Sequence, residues 1–160
     1  MFKIFKGKSE IELKSPVTGE IIPITTVPDE VFAQKLVGDG IGIVPTEGTV
    51  VSPVEGEVVQ IFPTKHALGI VSKDGLELLI HVGLDTVKMK GEGFESFVKE
   101  GDKVKVGQKL LTFDLDLIRE KAKSTITIFV ITNFDTIKSI EVADGKITKG
   151  KDTAMRVITK

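Results

Sequence analysis

The sequence predicts an all-β fold, an antiparallel β-sandwich or barrel with internal duplication and one or two very short helices. Three observations carry this expectation. Sixteen Gly and six Pro punctuate many short Val/Ile runs within 160 residues, the spacing of a sandwich or barrel. The segment Ser15-Pro16-Val17-Thr18-Gly19-Glu20-Ile21-Ile22 returns as Ser52-Pro53-Val54-Glu55-Gly56-Glu57-Val58-Val59, each copy a Pro/Gly turn feeding a β-branched strand. Two copies are too few for a solenoid and fit duplication inside one closed sheet system. Two apolar runs also flank Asp74-Gly75, a strong short-range hairpin signal.

Along the chain, residues 1–10 form an N-terminal tail and residues 11–160 a single domain. The tail's Met1-Phe2-Lys3-Ile4-Phe5-Lys6-Gly7-Lys8 is basic and apolar. A frayed end or edge strand is preferred there to contact with an anionic membrane surface. Residues Asp29 to Val37 can make two helical turns, with Pro28 ahead and Gly38 as a stop. Asp116 to Lys123 suits another, weakly amphipathic surface helix: Leu117 and Lys121 share one face, Leu115 and Ile118 another. Gly-bounded turns recur at Glu100–Gly107 and Ala143–Gly150, and Ser124 to Thr132 has the composition of a central strand.

Composition narrows the function. With 22 basic and 23 acidic residues the net charge is −1, so no global field selects nucleic acid. Cysteine is absent, which removes disulfides, thiolate nucleophiles and thiolate metal sites and suits a reducing compartment. The longest apolar runs, such as Ile126 to Ile131, are far too short to span a bilayer, and no secretory signal opens the chain. The expectation is a cytoplasmic globular domain that buries roughly 70% of its unfolded surface.

The two histidines of the chain, His66 and His81, lie on either side of Asp74-Gly75. A two-residue loop sets His81 opposite Leu68, diagonal to His66. A four-residue loop from Ser72 to Gly75 sets the histidines directly opposite. Either register places both imidazoles on one face with Cβ atoms roughly 5 to 8 Å apart. A three-residue loop would send them to opposite faces.

Such a pair suits nucleophilic chemistry. No Gly-x-Ser-x-Gly elbow or Gly-rich phosphate loop occurs. Neutral imidazole is nucleophilic near pH 7, so one ring can accept a phosphoryl group while the other donates an N–H to its oxygens. Thr64, two residues before His66, is placed to orient that ring if the strand extends so far. Asp85 sits beyond His81 at the rim, where a turn residue capping its own backbone is the plainer alternative. Phe32, Phe62 and Leu84 are core residues unless an apolar rim forms a docking surface. A zinc-binding hydrolase or metal-binding β module using His66, His81 and Asp85 is the alternative. His81-x-x-x-Asp85 matches half of the lysostaphin-type peptidase pattern, but no further histidine can complete it. A swinging-arm carrier with Lys88 as the modified residue is a third reading, against which the flanking Met-Lys-Met or Asp-Lys context is missing.

Seven motifs together resemble the glucose-type IIA proteins of the bacterial phosphoenolpyruvate-dependent sugar phosphotransferase system. They are Ser-Pro-Val-Thr-Gly-Glu at 15–20, Val-Pro-Asp-Glu-Val-Phe-Ala at 27–33, Val-Gly-Asp-Gly-Ile at 37–41, Pro-Thr-Lys-His-Ala at 63–67, Ile-His-Val-Gly-Leu-Asp-Thr-Val at 80–87, Lys-Gly-Glu-Gly-Phe at 90–94 and Lys-Ser-Thr at 123–125. The resemblance covers about residues 11 to 158. It implies a duplicated antiparallel sandwich and a phosphotransferase component without a cofactor. This carrier would take its phosphoryl group from phospho-HPr and pass it to a cysteine on the IIB domain of a membrane sugar permease. It implies that His81 is phosphorylated, at Nε2, that His66 stabilises the phosphate and that Thr64 holds His66. It further implies that Asp29 and Asp85 lie at the rim and that Phe32, Val37 and Phe62 belong to the docking surface. Some relatives have Phe where this chain has Leu79 and Val82, a departure expected to alter partner contacts. Some enteric members also regulate other proteins, one through zinc held by both histidines at the interface; neither that regulation nor a metal is assigned here. The chain would work in the cytoplasm, peripheral to the membrane through its transporter partner. Sugar choice would reside in that partner.

Overall fold

The computed structural model describes residues 10–160. The tail and its membrane alternative therefore fall outside the described residues, apart from Glu10, which already opens a strand. Strands β1 (Glu10–Lys14), β2 (Gly19–Pro23), β3 (Asp39–Pro45), β4 (Thr49–Val51), β5 (Gly56–Ile61), β6 (Ala67–Ser72) and β7 (Glu77–Leu84) form the first part of the chain. The rest holds β8 (Phe94–Ser96), β9 (Lys103–Val104), β10 (Lys109–Phe113), β11 (Ser124–Ile131), β12 (Ile137–Val142), β13 (Gly145–Ile147) and β14 (Thr153–Thr159). An eight-stranded sheet runs β13-β2-β3-β11-β7-β6-β5-β9, and two three-stranded sheets run β1-β14-β12 and β4-β10-β8. All the pairings are antiparallel, and the predicted all-β sandwich is what forms.

The duplicated segments lie against each other. Lys14 N donates to Pro53 O at 3.1 Å, and Val51 N returns a bond to Pro16 O at 2.9 Å. Each copy makes the same turn, with the buried Ser15 and Ser52 hydroxyls donating to the carbonyls two residues on, both at 2.7 Å. Each also holds one of the two Gly-bounded turns: Gly150 N donates to Ser15 O and Gly107 N to Ser52 O. Those turns meet back to back, since a Cβ on Gly150 would come within 3.2 Å of the Gly107 Cα. The repeat in the sequence is therefore a local two-fold in space.

Both helices differ from expectation. Helix α1 (Glu30–Ala33) is capped by Asp29, whose Oδ1 accepts from Val31 N at 3.0 Å. It stops before Val37 because Lys35 is left-handed, φ 60°, which terminates a helix ahead of Gly38. Helix α2 (Leu115–Lys121) starts earlier than predicted because Asp114 caps it. It lies at the surface as expected, with Asp116, Arg119, Glu120 and Lys121 exposed, and is anchored by Ile118, fully buried in the main core. Strand β11 is central, as predicted, between β3 and β7.

The main core packs the inner face of the large sheet, including Ile41, Ile43, Leu78, Ile80, Val82 and Phe129. A smaller cluster of Ile24, Val27, Phe32, Leu84, Ile128 and Val130, with Val37 and Leu79 packed against it, gathers around the outer face. His81 pairs with Ile128, which pairs with Gly42. Directly paired residues share a face, so His81 belongs to this outer face, beneath the segment that carries α1.

Candidate functional site

The β6–β7 register overturns the loop arithmetic. Ala67 faces His81 and Val71 faces Glu77, while Ser72 N donates to Leu76 O at 2.9 Å. The loop is the three residues Lys73-Asp74-Gly75, with Gly75 at φ 92°, the bulge-type turn. Strict alternation would now separate the imidazoles. They meet nonetheless, with ring centroids 4.8 Å apart and planes at 83°. The reason is that His66 precedes β6 and is not bound by its alternation. Lys65 is left-handed at φ 60°, Lys65 N donates to Phe62 O and Phe62 N to Ala67 O. This tight turn carries the His66 ring to His81.

The same turn brings Thr64 Oγ1 to 2.5 Å from His66 Nδ1; the contact comes from the turn and not from an extended strand. On the other side, His81 Nδ1 lies 2.9 Å from Gly83 O. A carbonyl only accepts, so Nδ1 carries the proton and Nε2 keeps its lone pair. Gly83 is left-handed at φ 76°, and a Cβ there would fall 2.5 Å from Thr86 Cγ2 and 2.9 Å from Ser124 O. Sequence reasoning missed Gly83 as a site residue. The available signal was a lone Gly inside a strand beside a histidine, which marks a bulge or a re-aimed backbone.

Apolar rings wall the pair. Phe32 lies tilted against His81 at 5.1 Å and 60°, and Phe62 meets His66 edge-on at 5.5 Å and 74°. Val37 stands behind, packed on the outer cluster. Asp29 acts on His81 through its field while its carboxylate caps α1. Asp85 is exposed, left-handed at φ 63°, and directed to Lys88 at 3.8 Å. Lys88 itself lies on a 3-10 turn, Thr86–Met89, not at a hairpin tip. Val82 is fully buried in the main core, so its difference from some relatives is a core exchange rather than an altered partner contact. No group of three His, Cys, Asp or Glu among the described residues is placed to hold a metal ion, and the zinc set of His66, His81 and Asp85 is not assembled.

Burial, aided by the neighbouring His81, holds the His66 pKa down to about 4. Burial also lowers His81, against the opposing pull of the Gly83 carbonyl and Asp29. Both rings are therefore neutral at pH 7. The arrangement presents one imidazole lone pair to a visitor, beside a second neutral ring and inside an apolar collar. Such a ring, with its proton on the far nitrogen, has the chemistry of a nitrogen nucleophile.

Residues 11–137 match the profile of the phosphoenolpyruvate-dependent sugar phosphotransferase system, EIIA 1. The chain belongs to this EIIA family. A glucose-specific EIIA component of Bacillus cereus is 56% identical over 161 residues, covering 100% of this chain and 98% of the relative. A glucose-specific EIICBA component of Staphylococcus saprophyticus is 49% identical over 150 residues, which span 94% of this chain and 22% of that larger protein. The solved glucose permease IIA of Mycoplasma capricolum superposes with a TM-score of 0.85 at 38% identity, over 92% of this chain and 95% of that one. This EIIA chain is a phosphotransferase component, and the comparisons lend nothing to the zinc-hydrolase alternative. No helix among its described residues is long and apolar enough to cross a membrane.

Proposed function

We propose that this EIIA chain is a phosphohistidine carrier that takes a phosphoryl group from phospho-HPr at His81 and delivers it to the IIB domain of a glucose-type permease. The observation that carries this reading is the His81 Nδ1–Gly83 O bond, which leaves Nε2 unprotonated and free to attack. In the acceptance step the Nε2 lone pair forms a bond to phosphorus as the donor's N–P bond breaks, and the donor imidazole recovers that electron pair. Positive charge then develops in the His81 ring, and the Gly83 carbonyl dipole offsets it at Nδ1. Thr64 donates its hydroxyl proton to His66 Nδ1, which places the neutral ring's own proton at Nε2 for a phosphate oxygen. Delivery reverses the step toward a cysteine thiolate.

Phe32, Val37 and Phe62 form the collar on which both partners dock in turn, with Asp29 and Asp85 at its rim. The apolar wall also slows hydrolysis of the phosphoramidate by excluding water. The name of the Staphylococcus relative, which joins A, B and C components, supports a transporter acceptor. It also supports a cytoplasmic carrier that is peripheral to the membrane. Residues 11–160 act as one domain. Incubation with phosphoenolpyruvate, Enzyme I and HPr should give an acid-labile phosphate mapped to His81 and absent in His81→Ala. Stable phosphate on Ser or Asp would overturn the reading.

A further inference from the structure

We propose that Thr86 is a positioning residue for phosphoryl acceptance, setting the peptide that keeps His81 in its Nδ1–H form. The proposal rests on the reading of His81 as acceptor. Thr86 is fully buried, with 0% exposure. The left-handed Asp85, φ 63°, and the 3-10 turn that follows fold the chain back on itself. Thr86 Oγ1 thereby reaches the Val82 carbonyl and donates to it at 2.6 Å. That carbonyl belongs to the same rigid peptide plane as the Gly83 N–H. Gly83 pivots from this plane at φ 76°, and its own carbonyl meets His81 Nδ1.

The Thr86 methyl acts on the same pivot. It occupies the side of Gly83 where a Cβ would stand, 2.5 Å from that position. The methyl fills that space, the hydroxyl fixes the peptide before Gly83, and Gly83 in turn holds the proton on His81. Without a fixed acceptor at Nδ1, neutral imidazole exchanges its proton between the two nitrogens. The Nε2–H form has no lone pair at the attacking atom, so loss of Nδ1–H population is loss of acceptor.

The test uses the full chain labelled with 15N-histidine. Long-range proton–nitrogen spectra read the tautomer of each ring before any phosphorylation. Wild type and Thr86→Ser should show His81 as Nδ1–H, whereas Thr86→Val, which keeps the shape and loses the donor, should show mixed tautomers. The initial rate of acceptance from phospho-HPr should fall roughly tenfold in Thr86→Val and recover in Thr86→Ser, the scale of a lost buried hydrogen bond and a misaimed group. His66 serves as the internal reference, and its signals should not move. Should Thr86→Val fail to fold, Thr86→Ala gives the same readout. A His81 that stays wholly Nδ1–H in the variant overturns the proposal, as does an equal disturbance of His66. Failure of the acceptor reading shows separately, as a wild-type chain that phospho-HPr does not label.

Discussion

At the scale of residues, the two imidazoles are alike in charge, and the proposed carrier gives them different tasks because different groups hold their Nδ1 atoms. His81 is held by a carbonyl and His66 by a hydroxyl. A hydroxyl can donate and a carbonyl cannot, so only His66 can keep its proton on Nε2, where the proposed carrier would meet the phosphate. His66→Ala should therefore still accept phosphate from phospho-HPr but pass it to the IIB domain poorly, with transfer slowed roughly 100-fold or more, as when one charge-stabilising donor is lost. Stopped transfer assays against a IIB domain check this, and unimpaired delivery would refute it. Burial lowers the His81 pKa, and a protonated ring cannot attack. The acid limb of the acceptance rate should accordingly lie below 6.5, the ordinary histidine value; a limb at or above it would contradict the buried, neutral nucleophile. That Thr64, His66 and His81 would meet was legible in the sequence. Gly83 and Thr86 were not, because their roles arise from a backbone turn rather than from side-chain chemistry.

At the scale of elements, strand alternation predicts which residues share a face only while the strand lasts. Asp74-Gly75 marked the hairpin correctly, but the turn takes in Lys73 and shifts the register by one. The left-handed Lys65 then restores the meeting of rings that the shift would have prevented. A positive φ at lysine has no clear sequence signature, so this compensation could not be read in advance. The helices were located but mis-measured for the same reason: Lys35 and Asp114 set their ends through local geometry. Gly83→Ala tests the site's own turn. It forces a Cβ against Thr86 Cγ2 and Ser124 O in a left-handed backbone, and should cost about 1 to 3 kcal/mol in denaturant melts. It should also abolish the uniform Nδ1–H signal of His81. Phe32→Ala, by contrast, opens the collar beside His81; it should shorten the lifetime of the phosphorylated protein in water more than it slows acceptance.

At the scale of the whole molecule, β1 pairs with β14 while the duplicated turns bond across to each other, so contacts distant in sequence tie the described chain together. Phe129, fully buried in the main core, belongs to β11, the strand paired with the His81-bearing β7. Phe129→Ala should remove about 3 to 5 kcal/mol of stability; a loss under 1 kcal/mol in equilibrium unfolding would contradict the packing described. His66 links the site to global stability. Its folded pKa of about 4 lies below the unfolded value of 6.5. The unfolded chain therefore binds the extra proton first. Stability is complete above pH 6.5, declines as the pH falls toward 4, and then levels off with respect to this group, a loss on the order of 3 kcal/mol. Melting of wild type and His66→Ala across that range should show a steep slope in the first and a shallower one in the second. The all-β class and the repeat were legible in the sequence because periodicity and Gly/Pro spacing are global properties.

Strands β1 and β14 lie side by side, with Glu10 opposite Ile158, in a sheet that does not include β7. Both ends of the described chain thus exit from one corner. A leash fastened at either end would pull first on that corner, which belongs to a different sheet from the His81 strand. Such a fold can be worn as a pendant on a larger machine or cut loose from it without redesigning its working surface.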